Sequence, residues 1–171
     1  SGDLKGRVRH WNPADGAFVR QLEAPSLFKE FYQYQQGGVR AMAFDAAGKT
    51  LYCAGFQGTN ANQAHGLPTV IPFEWASGTS KEPMTPTDAF NGPIMDLRFH
   101  ETGLVIGTGS SEAGGALWFW KPGEAKDAHV IKYQNSFRRM DLSADGQRLA
   151  AAAFGDRGGQ RGGNGRRLSK D

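Results

Sequence analysis

The stretch Phe137-Arg-Arg-Met-Asp-Leu142-Ser-Ala-Asp-Gly146-Gln-Arg-Leu149-Ala150 decides the fold. Residues 139–142 alternate in polarity, as in a strand with one buried face, and this strand ends at Leu142. Gly146 follows four residues later, where a tight reversal favours a residue that accepts positive φ. The apolar run 148–153 then predicts a returning strand, so the stretch predicts a β-hairpin.

The same hairpin pattern occurs twice earlier in the chain, from Val39 and from Ile94. In all three copies the first strand ends in a large apolar residue, and a glycine follows four residues later. The apolar residues are Phe44, Phe99 and Leu142, and the glycines are Gly48, Gly103 and Gly146. The predicted returning strands are 50–55, 104–108 and 148–153. An internal repeat of hairpins therefore predicts an all-β fold.

A third repeated element ends in tryptophan and is followed by a polar turn with glycine. The tryptophans are Trp11, Trp75 and Trp120, and Trp118 lies on the same strand face as Trp120. Phe99 and Leu142 are 43 residues apart, and Phe44 and Phe99 are 55 apart. A period in the low forties with loop insertions is typical of four-stranded propeller blades, which take about 40–45 residues.

These motifs resemble WD40 repeats, whose unit reads V-x-x-V/L-x-F-S-x-D-G-x-x-L-A-x-G followed by G-x-V-x-x-W-D. The best matches are 137–150 and 6–11, and the resemblance extends over roughly 6–155. It implies a WD40-like β-propeller that acts as a scaffold for protein–protein interaction and not as an enzyme. The chain lacks the family's Gly-His dipeptide, and Asn12, Ala76 and Lys121 replace the aspartate after tryptophan. The family's buried Asp–His–Ser/Thr–Trp network is therefore expected to be incomplete.

The strand pattern predicts a partial ring of about three four-stranded blades in one domain, 1–171. Residues 1–22 would form the last two strands of one blade, 39–90 and 91–134 two blades, and 135–171 the first strands of a further blade. Propellers usually hold about 4–8 blades. Either the sequence is a piece of a longer propeller, or two copies pair their half-blades into one six-bladed ring. Open sheet edges would drive that self-association.

Three segments are candidate partner-binding regions. The insertion 25–34 concentrates Phe28, Phe31 and Tyr32, which would either pack on the propeller as a short helical cover or bind a partner, because aromatic residues dominate interface hot spots. The polar loop 56–68, with His65, would lie at one rim, where loops commonly bind ligands. The third segment is the Gly/Arg-rich loop or tail 156–167, which contains Arg157 and Arg161.

Two Arg-Gly-Gly units in that last segment resemble the arginine–glycine segments of RNA-binding proteins. They lack interleaved aromatic residues, so we expect a loop; a propeller that contacts nucleic acid through this segment is the less favoured alternative. The excess positive charge lies in 154–171, with five basic and two acidic residues, while the other 153 residues carry 15 of each. The net charge of +3 therefore does not indicate that the propeller itself is basic.

The sequence offers little chemistry for catalysis or for a cofactor. Cys53 is the single cysteine, which excludes an internal disulfide framework, and the four histidines are scattered. Gly107-Thr-Gly109 begins like a dinucleotide loop but predicts a strand end and hairpin. No apolar run is long enough for a transmembrane helix. The expected partner is another, unidentified protein, and the compartment is not predicted.

One alternative keeps the propeller as a platform for an enzyme encoded elsewhere in a longer chain. A catalytic propeller would place charged residues on the first strand of each blade, which lines the central channel. Those strands offer the residues Arg40, Asp96, Arg98, Arg138, Arg139 and Asp141. This set favours a polar channel. The competing interpretation is that these arginines are simply exposed to solvent, as arginines on strands commonly are.

Overall fold

The computed structural model describes residues 1–31, 34–58 and 66–154, which form thirteen β-strands, one short 3₁₀ helix at Pro25–Leu27 and no α-helix. The first strands are β1 (Arg7–Trp11), β2 (Phe18–Glu23), β3 (Phe28–Phe31), β4 (Tyr34–Gly37), β5 (Ala41–Phe44), β6 (Thr50–Gly58) and β7 (Gly66–Glu74). The later strands are β8 (Ile94–Phe99), β9 (Val105–Ser111), β10 (Gly114–Trp120), β11 (His129–Tyr133), β12 (Ser136–Leu142) and β13 (Leu149–Phe154). The prediction of an all-β chain is confirmed.

The strands pair only with chain neighbours, and every pair is antiparallel. The sheets within the described ranges are β1–β2, β3–β4, β5–β6–β7, β8–β9–β10–β11 and β12–β13. In the four-stranded sheet, chain order equals spatial order, as in a meander. The first strands β5, β8 and β12 also contact one another in succession, β5 with β8 and β8 with β12. Successive sheets therefore meet along their first strands.

The three repeated hairpins are built alike, but the turn of the middle one is one residue shorter. Phe44 pairs with Leu51 and Leu142 with Leu149, seven residues later in each case, whereas Phe99 pairs with Val105, six residues later. The turn glycines Gly48, Gly103 and Gly146 have φ of 66°, 91° and 66°, which residues with a side chain rarely adopt. The apolar strand ends and the turn glycines thus keep the same spacing in all three hairpins, although the middle turn is one residue shorter.

The tryptophan positions are less regular than the sequence spacing suggests. Trp120 lies opposite Val105, whereas Phe73 lies opposite Leu51, the position that corresponds to Val105. The hydrogen bonds of the following turns agree, because Gly16 donates to the carbonyl oxygen of Asn12 and Gly78 to that of Glu74. Phe73 therefore occupies the ladder position of Trp11 and Trp120, and Trp75 lies two residues beyond it.

Three apolar clusters fill the spaces between consecutive sheets. One includes Val8, Leu22 and Ile71 and joins β1–β2 to β5–β6–β7. The next contains Val70, Ile94 and Trp118, and the last Ile106, Leu117, Phe137 and Met140. Packing of each sheet against the next is how propeller blades bury their faces.

The segment after β7 stands where a fourth strand would complete its sheet. Met84 exchanges both backbone hydrogen bonds with Val70, and Phe73 forms an isolated bridge with Ser80. Pro83 and Pro86 have no N–H to donate to a ladder, which limits the segment to isolated bridges. The sheet β5–β6–β7 thus has three strands and an irregular outer edge.

Two local expectations from the sequence are wrong. The insertion 25–34 forms no helical cover: after the 3₁₀ turn, β3 and β4 make a hairpin, which Gly38 closes by donating to the carbonyl oxygen of Leu27 at 2.6 Å. The loop 56–68 is shorter than expected, because Phe56 pairs with Pro68 inside the β6–β7 ladder. Residues 59–65 lie outside the described part of the chain.

Candidate partner-binding surface

An open aromatic groove lies between β1 and β5. Its volume is about 560 Å³, and His10, Trp11, Met42, Phe44 and Trp75 contribute to its walls. β1 and β5 belong to different sheets, so the groove separates two neighbouring blades at their inner side. None of these residues was a predicted binding residue, although three of them belong to the repeats.

Trp75 forms the floor of the groove and is held on several sides. Its backbone N–H donates to the carbonyl oxygen of Lys49 at 2.7 Å. The His10 ring lies 4.6 Å from its ring centroid, and the edge of Phe44 meets it at 4.9 Å. The Arg20 guanidinium lies 4.7 Å above the ring and donates to the carbonyl oxygen of Ala76 at 3.0 Å. Such an arrangement presents a rigid aromatic surface.

The rim of the groove exposes large apolar residues. Trp11 is 43% exposed, Phe44 44% and Phe18 54%, and Trp11 meets Phe18 edge to face at 5.6 Å. Val19 and Met42 are exposed as well. A contiguous apolar patch of this kind is typical of an interaction site. The alternation of β5 and the repeat position of Trp11 predicted burial here, so sequence reasoning missed the surface.

The predicted residues Phe28 and Phe31 lie at opposite ends of β3, and both are half-buried. The Lys29 ammonium lies 4.9 Å from the Phe31 ring centroid. Tyr34, which the sequence analysis did not single out, is 65% exposed at the start of β4. The hairpin contacts β6 and is separate from the groove. The other predicted binding residues, Tyr32, His65, Arg157 and Arg161, lie outside the described residues.

A buried carboxylate joins two blades at the channel strands. Asp96 in β8 is 2% exposed and accepts hydrogen bonds from the backbone N–H of Leu97 at 2.9 Å and of Met140 at 3.0 Å. The Arg98 guanidinium donates to the same carboxylate at 2.6 Å. Because Met140 belongs to β12, Asp96 connects two sheets while Arg98 balances its charge. A predicted channel residue thus has a structural role.

Within residues 1–31, 34–58 and 66–154, no group of three metal-ligating side chains comes together. No helix in those ranges is long and apolar enough to cross a membrane. Gly107 and Gly109 belong to the strand β9, and the hairpin β9–β10 follows, as expected. These two glycines make room for indoles, since a Cβ at Gly109 would lie 2.2 Å from the Trp118 ring.

Cys53 provides a first test of the described packing. The residue is fully buried in β6, and this burial raises the pKa of its thiol to about 12. We expect no reaction with a disulfide reagent at mildly alkaline pH in the native protein and complete reaction in guanidinium chloride, because only the accessible thiolate is nucleophilic. The absorbance of the released thiol measures both. Rapid labelling of the native chain would contradict the burial of β6.

Comparison with known proteins gives no match to any protein-family model or to any curated protein. Solved structures match with TM-scores of 0.55 to 0.64: Kuenenia stuttgartiensis hydrazine synthase (0.64, 14% identity, 85% of this chain), the Myceliophteria thermophila Cps50 (Swd1) β-propeller domain (0.56, 14%, 88%) and the Neurospora crassa Pan2 WD40 domain (0.55, 15%, 88%). The chain spans 35%, 43% and 42% of those chains, respectively. The prediction of the fold is confirmed: this chain has a WD40-like β-propeller fold that corresponds to part of a ring.

Proposed function

We propose that this chain is a protein-interaction scaffold that binds another polypeptide through the aromatic groove and the edge of β1 beside it. The observation that carries the proposal is the exposure of Trp11, Phe18 and Phe44 around a groove with an ordered floor. Exposed aromatic clusters are favoured at protein interfaces because they bury a large area at low entropic cost.

The occupant that fits this edge is the hairpin β12–β13 of a second copy. The sheet β8–β9–β10–β11 shows the complete order of a blade. By repeat position, β12 and β13 correspond to its first two strands, and β1 and β2 to its last two. Joining β13 to β1 would produce the order β12–β13–β1–β2, which is that of the complete blade.

The two edges differ in the described chain. β13 pairs with β12 on one side only. β1 pairs with β2, and residues 1–3 cover its other edge: Ser1 and Arg9 each donate to the other's carbonyl oxygen, and the Asp3 N–H donates to that of Arg7. A strand from a second copy therefore has to displace this short segment from β1. Phe154 at the end of β13 is 64% exposed. Unpaired, apolar strand edges favour association with another strand.

The mass of the chain in solution tests the proposal. Light scattering after size exclusion should give one species at about twice 18.5 kDa, the mass of one chain. Trp11→Lys places a charge on the groove and should convert the species to the monomer. Tyr34→Lys is the matched control: Tyr34 is even more exposed but lies on the separate hairpin, so this variant should keep the wild-type mass.

A well-folded monomer of the wild-type chain would contradict pairing between copies. Equal dissociation by Tyr34→Lys and Trp11→Lys would contradict the location of the surface. Circular dichroism of each variant separates loss of association from loss of fold.

A second candidate function is a platform for an enzyme, since one structure with this fold is a hydrazine synthase. At 14% identity that likeness concerns the fold alone. The first-strand charges expected of a catalytic channel include Asp96, which is buried and occupied by three donors. We therefore favour the scaffold. Catalytic activity of the 171-residue chain by itself would overturn that preference.

A further inference from the structure

We infer that Arg40 and Arg138 form an oxyanion-binding site at the rim of the central channel, which takes a carboxylate or phosphate group. The site requires only one copy of the chain. It shares Phe154 of β13 with the proposed association between copies, but Arg40 and Arg138 belong neither to the groove nor to the strand edges that would pair.

The two arginines occupy the same repeat position on two blades. Counting from the register pairs of the hairpins, Arg40 corresponds to Arg138, and Met95 holds this position in the blade between them. All three stand one residue after the apolar start of the first strand, at Val39, Ile94 and Phe137. Because β5, β8 and β12 contact one another in succession, these positions form one row along the channel.

A β-bulge sets each of these residues apart from the ladder. In β12, Phe137 pairs with Ala153 and Arg139 with Ala152, so Arg138 is the extra residue. In β8, Met95 is extra in the same way between Ile94 and Asp96. Before β5, the N–H of Arg40 donates to the carbonyl oxygen of Ala54, which also pairs with Ala41. Bulges re-aim side chains and are enriched beside functional sites.

Each arginine has an aromatic support at a second repeat position. The Arg40 guanidinium lies 5.4 Å from the Phe56 ring centroid, and that of Arg138 lies 4.9 Å from the Phe154 ring centroid. Phe56 and Phe154 correspond to each other on the second strands β6 and β13. In the middle blade, where methionine replaces arginine, Ser110 replaces phenylalanine. The arginine and its aromatic support thus occur together or not at all, which indicates a two-residue unit.

Within the described residues, no carboxylate balances the charges of this row. Neither Arg40 nor Arg138 forms an ion pair or a side-chain hydrogen bond there. The channel carboxylate Asp96 is buried and neutralised by Arg98. Partial shielding from solvent lowers the pKa of the Arg40 guanidinium, and the charge of Arg138 lowers it further. The two arginines stand at first strands, β5 and β12, that both contact the strand between them, β8.

An oxyanion bound by both arginines would offset their positive charges. A guanidinium presents parallel N–H donors that match a carboxylate or a phosphate, and stacking on an aromatic ring restricts its orientation. Both side chains remain exposed, so a ligand can reach them without a change of the fold. The chemistry fits a negatively charged group on a peptide or a small molecule.

The test follows the arginine Nε–H signals of the ¹⁵N-labelled chain by NMR during titration with sodium phosphate and, separately, with sodium glutarate, at constant ionic strength set by sodium chloride. We expect the Arg40 and Arg138 signals to move together with one dissociation constant. Arg40→Met and Arg138→Met, which copy the residue of the middle blade, should each weaken binding about tenfold or more. A stronger response to one probe identifies phosphate or carboxylate as the preferred group.

Arg148→Met is the matched control. It removes the same charge from the same hairpin, in the turn just before β13, where Arg148 is exposed and its side chain makes no hydrogen bond to another described residue. This variant should bind as the wild type does. Equal weakening by Arg148→Met, a response of only one of the two arginines, or the same shifts in chloride alone would each overturn the site. Loss of association between copies would leave these titrations unchanged.

Discussion

Replacing Asp96 by alanine is expected to lower the free energy of unfolding by about 3 kcal/mol, the cost of breaking a buried hydrogen-bonded charge pair. The substitution leaves the Met140 N–H in β12 without its acceptor and the Arg98 guanidinium without its counter-charge. Because Leu97 also loses an acceptor, the defect extends over two neighbouring first strands. Urea denaturation followed by tryptophan fluorescence measures the change.

Two variants separate the contributions at this position. Asp96→Asn keeps one acceptor oxygen but removes the charge, so we expect it to cost about half as much as alanine, since a hydrogen bond to a charged group is worth about 1.5–3 kcal/mol. Asp141→Ala is the matched control, since Asp141 is exposed and, among the described residues, its carboxylate accepts only from the backbone N–H of Leu142. An Asp96→Ala protein as stable as Asp141→Ala would refute the bridging role.

Gly109→Ala should have the second large effect, a loss of about 1–3 kcal/mol from overpacking a filled core. The added methyl group would lie 2.2 and 2.3 Å from two ring atoms of Trp118, distances that force the indole to move. Trp118 has little room, because Phe90 meets it edge to face at 4.8 Å and Trp120 lies 5.8 Å away. Thermal or urea unfolding of the single variant measures the cost.

A double-mutant cycle identifies the clash as the cause. Trp118→Leu shortens the opposing side chain, so Gly109→Ala should cost little in that background, whereas an effect on the backbone of β9 would persist. Additive costs of the two substitutions would show that the tryptophan ring is not what requires glycine at this position.

The sequence was sufficient for the fold because its decisive signals are local. An apolar strand end followed four residues later by glycine appears in three hairpins, and the glycines adopt the positive φ that the pattern predicts. The position of Trp75 and the end of β6 were harder to predict. Both depend on the length of the β6–β7 ladder. The ladder positions of Phe73 and Phe56 follow from the strand that each one pairs with, and the sequence does not show that pairing.

The sites were less predictable because they depend on relations between blades. Arg40 and Arg138 appeared in the sequence as channel charges, but their aromatic supports lie on other strands at positions that only the register aligns. The groove around Trp75 combines β1 and β5. No spacing within one repeat reveals such a contact. The prediction for the insertion 25–34 was wrong for another reason. The β3–β4 hairpin closes through a hydrogen bond from the backbone N–H of Gly38 to the carbonyl oxygen of Leu27.

The three apolar clusters lie between sheets, and this determines how far a destabilising substitution acts. Each blade buries its apolar faces against the neighbouring blades, so the stability of the chain depends on contacts between nearest neighbours, as in repeat proteins. The blade β8–β11 has two such contacts, whereas β1–β2 and β12–β13 each have one within the described chain. A destabilising substitution in an outer blade should therefore cause local fraying of that blade. A destabilising substitution in the blade β8–β11 should separate the row into two less stable parts.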